Sequence, residues 1–289
     1  MNGRRTGTTC FLVLLLAAGL ALLAYPTVAG WWNSYRQDRA ARAYGDAVSA
    51  LPDGERARMA AEAAAYNARL AGIGLHGDLT EGERTEYSRL LAVDGDVMGC
   101  LEIPSIHVSL PIRHGADEAV LREAAGHVAG SSLPVGGVNT HCVLSGHRSL
   151  PGARLFRDLD KLAGGDRFSI TVLDRTLVYE VDRIWVSEPS DTAGLVIEPG
   201  ADLCTLVTCT PLGSNAQRLL VRGRRVEGAE ALRRPAPSAE PAFIALYASA
   251  IALPLLIAWL AIADIRSRRR RAARRRKGKA LRGKRKKGR

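Results

Sequence analysis

Hydrophobic positions along this chain repeat in three different ways, and each predicts a different kind of element. The first is an unbroken apolar run. Cys10 to Ala24 continues more weakly through Tyr25-Pro26-Thr27-Val28-Ala29 to Trp31 and Trp32, and Phe243 to Ala263 carries no charge at all. Each is long enough for a helix to cross a hydrocarbon core of about 30 Å, so membrane-spanning helices are expected over 10–30 and 243–263. The second pattern is helical. Residues 31–70 are rich in Ala, Arg and Glu with one clear breaker at Pro52-Asp53-Gly54, which predicts two helices. Residues 71–86, with Gly72, Gly74, Gly77 and Gly82 among polar neighbours, read as a loop.

The third pattern begins near Val97, where short β-rich runs are separated by Gly, Pro and Asp. Strands are predicted at Val97–Ile103, His107–Ile112, His141–Ser145, Arg167–Leu173, Thr176–Val186, Leu203–Cys209 and Arg218–Val226. The Arg167–Leu173 and Thr176–Val186 pair forms a hairpin turning at Asp174-Arg175. Short helices are expected at Ala119–Ala125 and Leu155–Leu162. This predicts a mainly β domain over 87–227 whose strand count suits a closed barrel. Residues 228–242, with Pro235, Pro237 and Pro241, form a linker to the second apolar run.

Charge sharpens this organisation. The formal net charge is +12, but sixteen Lys or Arg and no acid lie between Arg266 and Arg289, leaving about −4 for everything before them. A nucleic-acid binder would spread basic residues over a recognition surface, whereas these follow an apolar span directly. Positive residues precede the first span (Arg4, Arg5) and follow the second. The positive-inside rule therefore predicts a cytoplasmic N-terminus (1–9), a cytoplasmic tail (264–289) and an extracytoplasmic middle: a multi-pass protein of the cell membrane in contact with anionic lipid. A cleaved signal peptide is the rival reading of the first span. It is disfavoured because Thr27-Val28-Ala29 is only a loose cleavage match and Trp31-Trp32 suits an interfacial anchor. The four cysteines of the middle region, Cys100, Cys142, Cys204 and Cys209, are too few for a disulfide scaffold.

Three residues suggest chemistry. Catalysis by a thiol requires a partner that keeps it ionised and protonates a leaving amine, together with a donor for the tetrahedral oxyanion. Cys209 ends an apolar strand just before Thr210-Pro211. His147 follows Ser145-Gly146 beyond another strand, and Arg218 begins the strand that a turn through Gly213-Ser214-Asn215 returns toward Cys209. Taken singly, a cysteine in an apolar strand is more often a small core residue, and a lone His or Arg is more often structural or solvated. His76, His107, His114, His127 and His141 have no such context and are read as structural. A zinc site from Cys142, Cys204, Cys209, His141 and His147 would lack paired ligand spacing.

Context comes from a resemblance. Thr205-Leu206-Val207-Thr208-Cys209 resembles the TLxTC strand of the sortases, the cysteine transpeptidases of Gram-positive cell surfaces. Ser145-Gly146-His147-Arg148 is similar to their histidine loop and Arg218-Leu219-Leu220-Val221-Arg222-Gly223 to their arginine strand. The likeness extends over Val93 to Val226 and is strongest to class C, the pilin-polymerising branch. It implies a sortase-type closed β-barrel with Cys209 as nucleophile, His147 as acid–base, Arg218 as oxyanion or substrate-binding residue and Thr208 shaping the site. No metal or organic cofactor is implied. The implied partners are LPXTG-like sorting signals of pilin or surface proteins, and an acceptor Lys amine of a pilin or an amine of a cell-wall precursor. Class C members usually carry a lid with an Asp-Pro-aromatic motif over the cysteine. Residues 71–86 contain neither Pro nor an aromatic residue, and Asp78-Leu79 is the nearest stand-in. A catalytically silent module that only docks sorting signals is the alternative from another class. Against it stands the presence of all three catalytic residue types.

Overall fold

In a computed structural model, the described residues are 2–71, 79–93, 95–148 and 155–228, with single residues 252, 259 and 266. The chain divides into two units, residues 1–28 with 239–289 and residues 29–238. In the first, the described N-terminal residues are helical and expose Phe11, Leu15, Leu16, Leu22 and Leu23. Among the described residues no single helix is long and apolar enough to cross a membrane; only the stretches 15–23 and 28–50 taken together meet that length and composition. The second predicted span, the linker and the basic tail lie outside the described residues.

The second unit carries the remaining elements. Its helices are the C-terminal part of α1 (Asn2–Ala50), then α2 (Asp53–Leu70), α3 (Glu81–Arg89) and α4 (Glu118–Leu121). Its strands are β1 (Val97–Ile103), β2 (Val108–His114), β3 (Ala125–His127), β4 (Thr140–Ser145), β5 (Arg167–Val172), β6 (Arg175–Ser187), β7 (Asp202–Thr210) and β8 (Gln217–Arg225). They close into an eight-stranded barrel in the order β1-β2-β3-β4-β7-β8-β6-β5, the closed β architecture expected. Closure leaves no unpaired sheet edge. Most pairs are antiparallel, but β2–β3 and β4–β7 are parallel, and the β4-to-β7 crossover is made by the β5–β6 hairpin and its flanking loops.

Two helices brace the barrel through buried polar groups that both donate and accept across the contact. Tyr44 of α1 donates its hydroxyl hydrogen to the Met98 carbonyl (3.0 Å) and accepts from the Leu173 amide (2.8 Å). Asn67 of α2 donates to the Leu133 carbonyl (3.0 Å) and accepts from the Leu133 amide (2.7 Å). Each such bond contributes only about 1 kcal/mol net, yet leaving a buried partner unmet costs about 1–3 kcal/mol, so these contacts fix where the helices dock. The apolar core runs from Met59, Ala63 and Leu70 of α2 through Leu101, Ile112, Leu144, Phe168, Tyr179, Leu206 and Val221 of the barrel.

The structure differs from the expected elements at four places. Ala119–Ala125 is not one helix: α4 stops at Leu121 and Ala125 begins β3, three residues too short to show a period of two. Leu155–Leu162 forms only a single 3₁₀ turn at Leu159–Lys161; its helix-like spacing arises because Leu155, Phe156, Leu159 and Leu162 all drop into the core. The 71–86 segment is not all loop, since α3 starts at Glu81 with a capping box in which Thr80 and Glu83 satisfy each other's backbone amides. The β5–β6 turn is made by Leu173-Asp174, because Val172 already pairs with Arg175 and Leu173 takes a positive φ of 51°.

Candidate active site

Register brings the three chemical candidates to one rim of the barrel. Strands β4 and β7 run parallel with Cys142 opposite Cys204 and Ser145 opposite Val207. The Gly146 amide extends this ladder by donating to the Val207 carbonyl (3.0 Å), and the Thr208 hydroxyl donates to the Gly146 carbonyl (2.7 Å). His147, two residues past β4, therefore reaches the level of Cys209, two residues past Val207. On the other side β7 and β8 are antiparallel with Cys209 directly opposite Arg218. In this barrel Cys209 follows Thr208 with its side chain half-exposed while Thr208 is buried. Side-chain alternation along a strand produces that difference.

The rim is open to solvent. Residues 211–216, the turn between β7 and β8, are all exposed. The Arg218 guanidinium rests on that turn, Nη1 donating to the carbonyls of Asn215 and Gln217 at 3.2 Å each. His147 Nε2 lies 3.1 Å from Glu118 Oε2, and the other carboxylate oxygen of Glu118 accepts from Arg122 Nε at 3.1 Å. The hydrogen bond from Arg122, and after it the charge of His147, hold the Glu118 carboxyl below its ordinary range. Arg148, beside the histidine, is buried. It donates to Thr210 Oγ1 (2.7 Å) and pairs with Asp160 (2.6 Å), tying the histidine loop to the end of β7.

Of the residues singled out in the sequence, Cys209, His147, Arg218 and Thr208 are thus gathered at one end of β4, β7 and β8. Leu79 packs partly buried against the core, and Asp78 lies outside the described residues. Asp158 pairs with Lys161 and Asp160 with Arg148; the carboxylate that meets the imidazole is Glu118. Sequence reasoning missed Glu118, which stands in no motif, and gave no role to Arg148, although it ends the Ser-Gly-His-Arg run. For Glu118 no signal existed without the tertiary contact; for Arg148 the run marked the residue but not its partners Thr210 and Asp160.

Cys100, Cys142 and Cys204 are buried. Cys142 and Cys204 are register partners, and burial pushes the Cys204 thiol well above its ordinary range. The described histidines read as structural are accounted for by local bonds: His114 to the Asp96 and Leu90 carbonyls, His127 to Tyr87 and the Ser132 carbonyl, His141 to the Val196 carbonyl and Thr205. His107 caps a 3₁₀ turn, and His76 lies outside the described residues. Among the described residues no group of three or more His, Cys, Asp or Glu is arranged to hold a metal ion.

Comparison with known proteins agrees with this geometry. The family described as Sortase domain matches residues 101–226. Sortase D of Bacillus subtilis is 31% identical over 135 residues, 46% of this chain and 65% of that protein. Sortase SrtE1 of Streptomyces coelicolor is 27% identical over 227 residues, 74% of this chain and 56% of that protein. The chain thus spans between half and two thirds of the length of these curated relatives. Among solved structures, sortase C1 from Streptococcus agalactiae superposes with a TM-score of 0.65 at 44% identity, covering 66% of this chain and all of that one. Sortase C-1 from Actinomyces oris gives a TM-score of 0.57 at 45% identity over 59% of this chain and 98% of its own.

Proposed function

From the premise that this chain belongs to the sortase family and is most like its class C members, we propose that it is a membrane-anchored cysteine transpeptidase joining pilin subunits. The Cys209 thiolate attacks the Thr–Gly carbonyl of an LPXTG-like sorting signal. As the sulfur–carbon bond forms and the carbon–nitrogen bond breaks, His147 gives its proton to the departing amine. A Lys amine of the next pilin then attacks the thioester carbon, His147 takes the amine proton, and the sulfur–carbon bond breaks to return the Cys209 thiolate as the isopeptide carbon–nitrogen bond forms. Arg218 donates to the tetrahedral oxygen in both steps, an interaction worth about 3–4 kcal/mol where donors are preorganised. Thr208, bound to the Gly146 carbonyl, keeps β7 and the histidine loop at a fixed separation.

The observation that carries this reading is the register that sets Cys209 opposite Arg218 while extending β4 so that His147 stands level with Cys209. Anchoring is supported by the exposed leucines of 15–23 and by the uncharged run Phe243 to Ala263 followed by the basic tail. An anchoring sortase that uses a cell-wall precursor amine is the second reading. The curated relatives are sortases D, SrtE1 and A, none of them named as a sortase C, whereas the sortase C1 and C-1 structures share higher identity with this chain and support the first reading. Incubating the protein with an LPXTG peptide and either a pilin-derived Lys peptide or a cell-wall-type amine separates the two. Mass spectrometry should find the Lys-linked product; product with the second amine alone would reverse the assignment, and no thioester or product with either would refute the sortase reading.

A further inference from the structure

The sortase constellation of cysteine, histidine and arginine leaves the orientation of the imidazole to be explained. His147 stands on a loop just past the end of β4, and its ring must present one chosen nitrogen to the reacting atoms. The charged or titratable groups around it are Glu118 from α4, with Arg122 behind it, Arg148 next in the loop, Cys209 from β7 and Arg218 from β8. Arg148 is occupied by Asp160 and Thr210. Glu118 is the group in direct hydrogen-bond contact, its Oε2 3.1 Å from Nε2.

A carboxylate can only accept, so the nitrogen facing it carries the proton. Glu118 is ionised in this setting, because Arg122 clamps its other oxygen. The neutral imidazole is thereby held as the Nε2–H tautomer, and its lone pair is on Nδ1. Among the described residues no hydrogen bond engages Nδ1. Glu118 itself is well exposed, its side chain 62% accessible, and Asp117 already caps α4 by accepting from the Val120 amide. A first-turn carboxylate paired with Arg122 suits α4 by itself, but only the contact of Oε2 with the imidazole engages its second oxygen.

Resting on the transpeptidase reading, we propose that Glu118 is a positioning residue for His147, fixing the ring through Nε2 so that Nδ1 is the nitrogen that exchanges the proton. Transfer of the Cys209 thiol proton to Nδ1 gives the thiolate and the imidazolium; in acylation the sulfur–carbon bond forms, the carbon–nitrogen bond breaks, and that Nδ1 proton passes to the departing amine. In the second step Nδ1 takes a proton from the attacking amine. Nε2 keeps its proton and its bond to Glu118 throughout, and Arg122 acts one step further out by holding the carboxylate.

The test uses the full-length protein in detergent with ¹⁵N-labelled histidine, the His147 signals being assigned by their loss in His147→Gln. In the unaltered protein the neutral ring should show the Nε2–H pattern. Glu118→Ala should lose that preference and lower kcat by roughly tenfold with KM within about twofold, a smaller loss than for a buried orienting carboxylate because this one is exposed. Glu118→Gln keeps an accepting oxygen, so it should keep the tautomer and stay within about threefold of the original kcat. Arg122→Ala, which leaves the imidazole contact itself untouched, should fall between them. An unchanged tautomer in Glu118→Ala, or kcat within twofold of the original, would overturn the proposal. If the unaltered protein turns over no sorting-signal peptide, the transpeptidase reading fails, and the nitrogen signals still decide whether Glu118 holds the ring.

Discussion

At the scale of single residues, the four described cysteines outside α1 divide by burial. Cys100, Cys142 and Cys204 are 3%, 2% and 0% exposed, whereas Cys209 sits half-exposed at an open rim. A thiol reagent needs access as well as thiolate. Brief labelling of the native protein should therefore modify the peptide carrying Cys209 well before those carrying the other three, which should react only on unfolding. Cys209→Ala should abolish thioester formation with an unchanged unfolding midpoint, since it deletes the bond-forming atom and little packing. Equal labelling of all four peptides would contradict the burial, and surviving transfer would remove Cys209 from the mechanism. Arg218→Lys preserves charge yet loses the planar fork that can direct two N–H groups at one oxygen. It should recover little activity, with kcat at least about 100-fold below the original, the size of loss seen when an oxyanion donor is removed.

At the scale of elements, the separation between the histidine loop and β7 is held by three hydrogen bonds, from Gly146, Thr208 and Arg148, and by the absence of a side chain at Gly146. A Cβ there would come within 2.7 Å of the Phe156 ring, closer than atoms pack. Phe156 is itself fully buried, so relief must come from the loop. Gly146→Ala should therefore displace His147 and reduce kcat by roughly 100-fold, the cost of a misplacement near 1 Å. Labelling of Cys209 should be nearly unaffected, because β7 is anchored from its other side by β8. A variant with normal turnover would show that Phe156 yields instead. Gly223, on β8, has the same character: a Cβ would meet Phe168 at 2.6 Å and Tyr179 at 2.9 Å, where those two rings stack inside the barrel.

At the scale of the whole molecule, stability is tied to pH through a histidine far from the chemistry. His141 is 1% exposed, bonded to the Val196 carbonyl and Thr205, and burial depresses its pKa below the ordinary 6.5. In the unfolded chain the same ring titrates near 6.5. Below that pH the unfolded state binds a proton that the folded state resists, so stability present above about pH 6.5 is lost as pH falls toward the depressed folded value. His114, depressed by burial as well, acts in the same direction. The unfolding temperature should drop between pH 7.5 and 5.5. His141→Gln should be less stable at pH 7.5 but show a shallower slope, the difference in slope being the part due to His141. Parallel slopes would mean that the ring is protonated in place.

Much of this architecture was legible because period and turn chemistry are local. Seven of the eight strands follow from short apolar or alternating runs between Gly, Pro and Asp, and the α1–α2 break follows from Pro52-Asp53-Gly54. Cys209, His147 and Arg218 were marked by runs that resemble sortase motifs; their places at strand ends beside turns were compatible with chemistry but did not single them out. Other features were decided only by folding. The three-residue β3 owes its existence to neighbours it pairs with, and the helix-like spacing of Leu155–Leu162 was satisfied by burial in the core instead of by a helix. Glu118 beside His147 and Arg148 beside Thr210 lie 29 and 62 residues apart along the chain. Such contacts depend on how crossovers close the barrel, and no local period encodes them. The sequence by itself determined which residue types and elements are present; the parallel register of β4 on β7, and the pairing of β7 with β8, decided which of them meet.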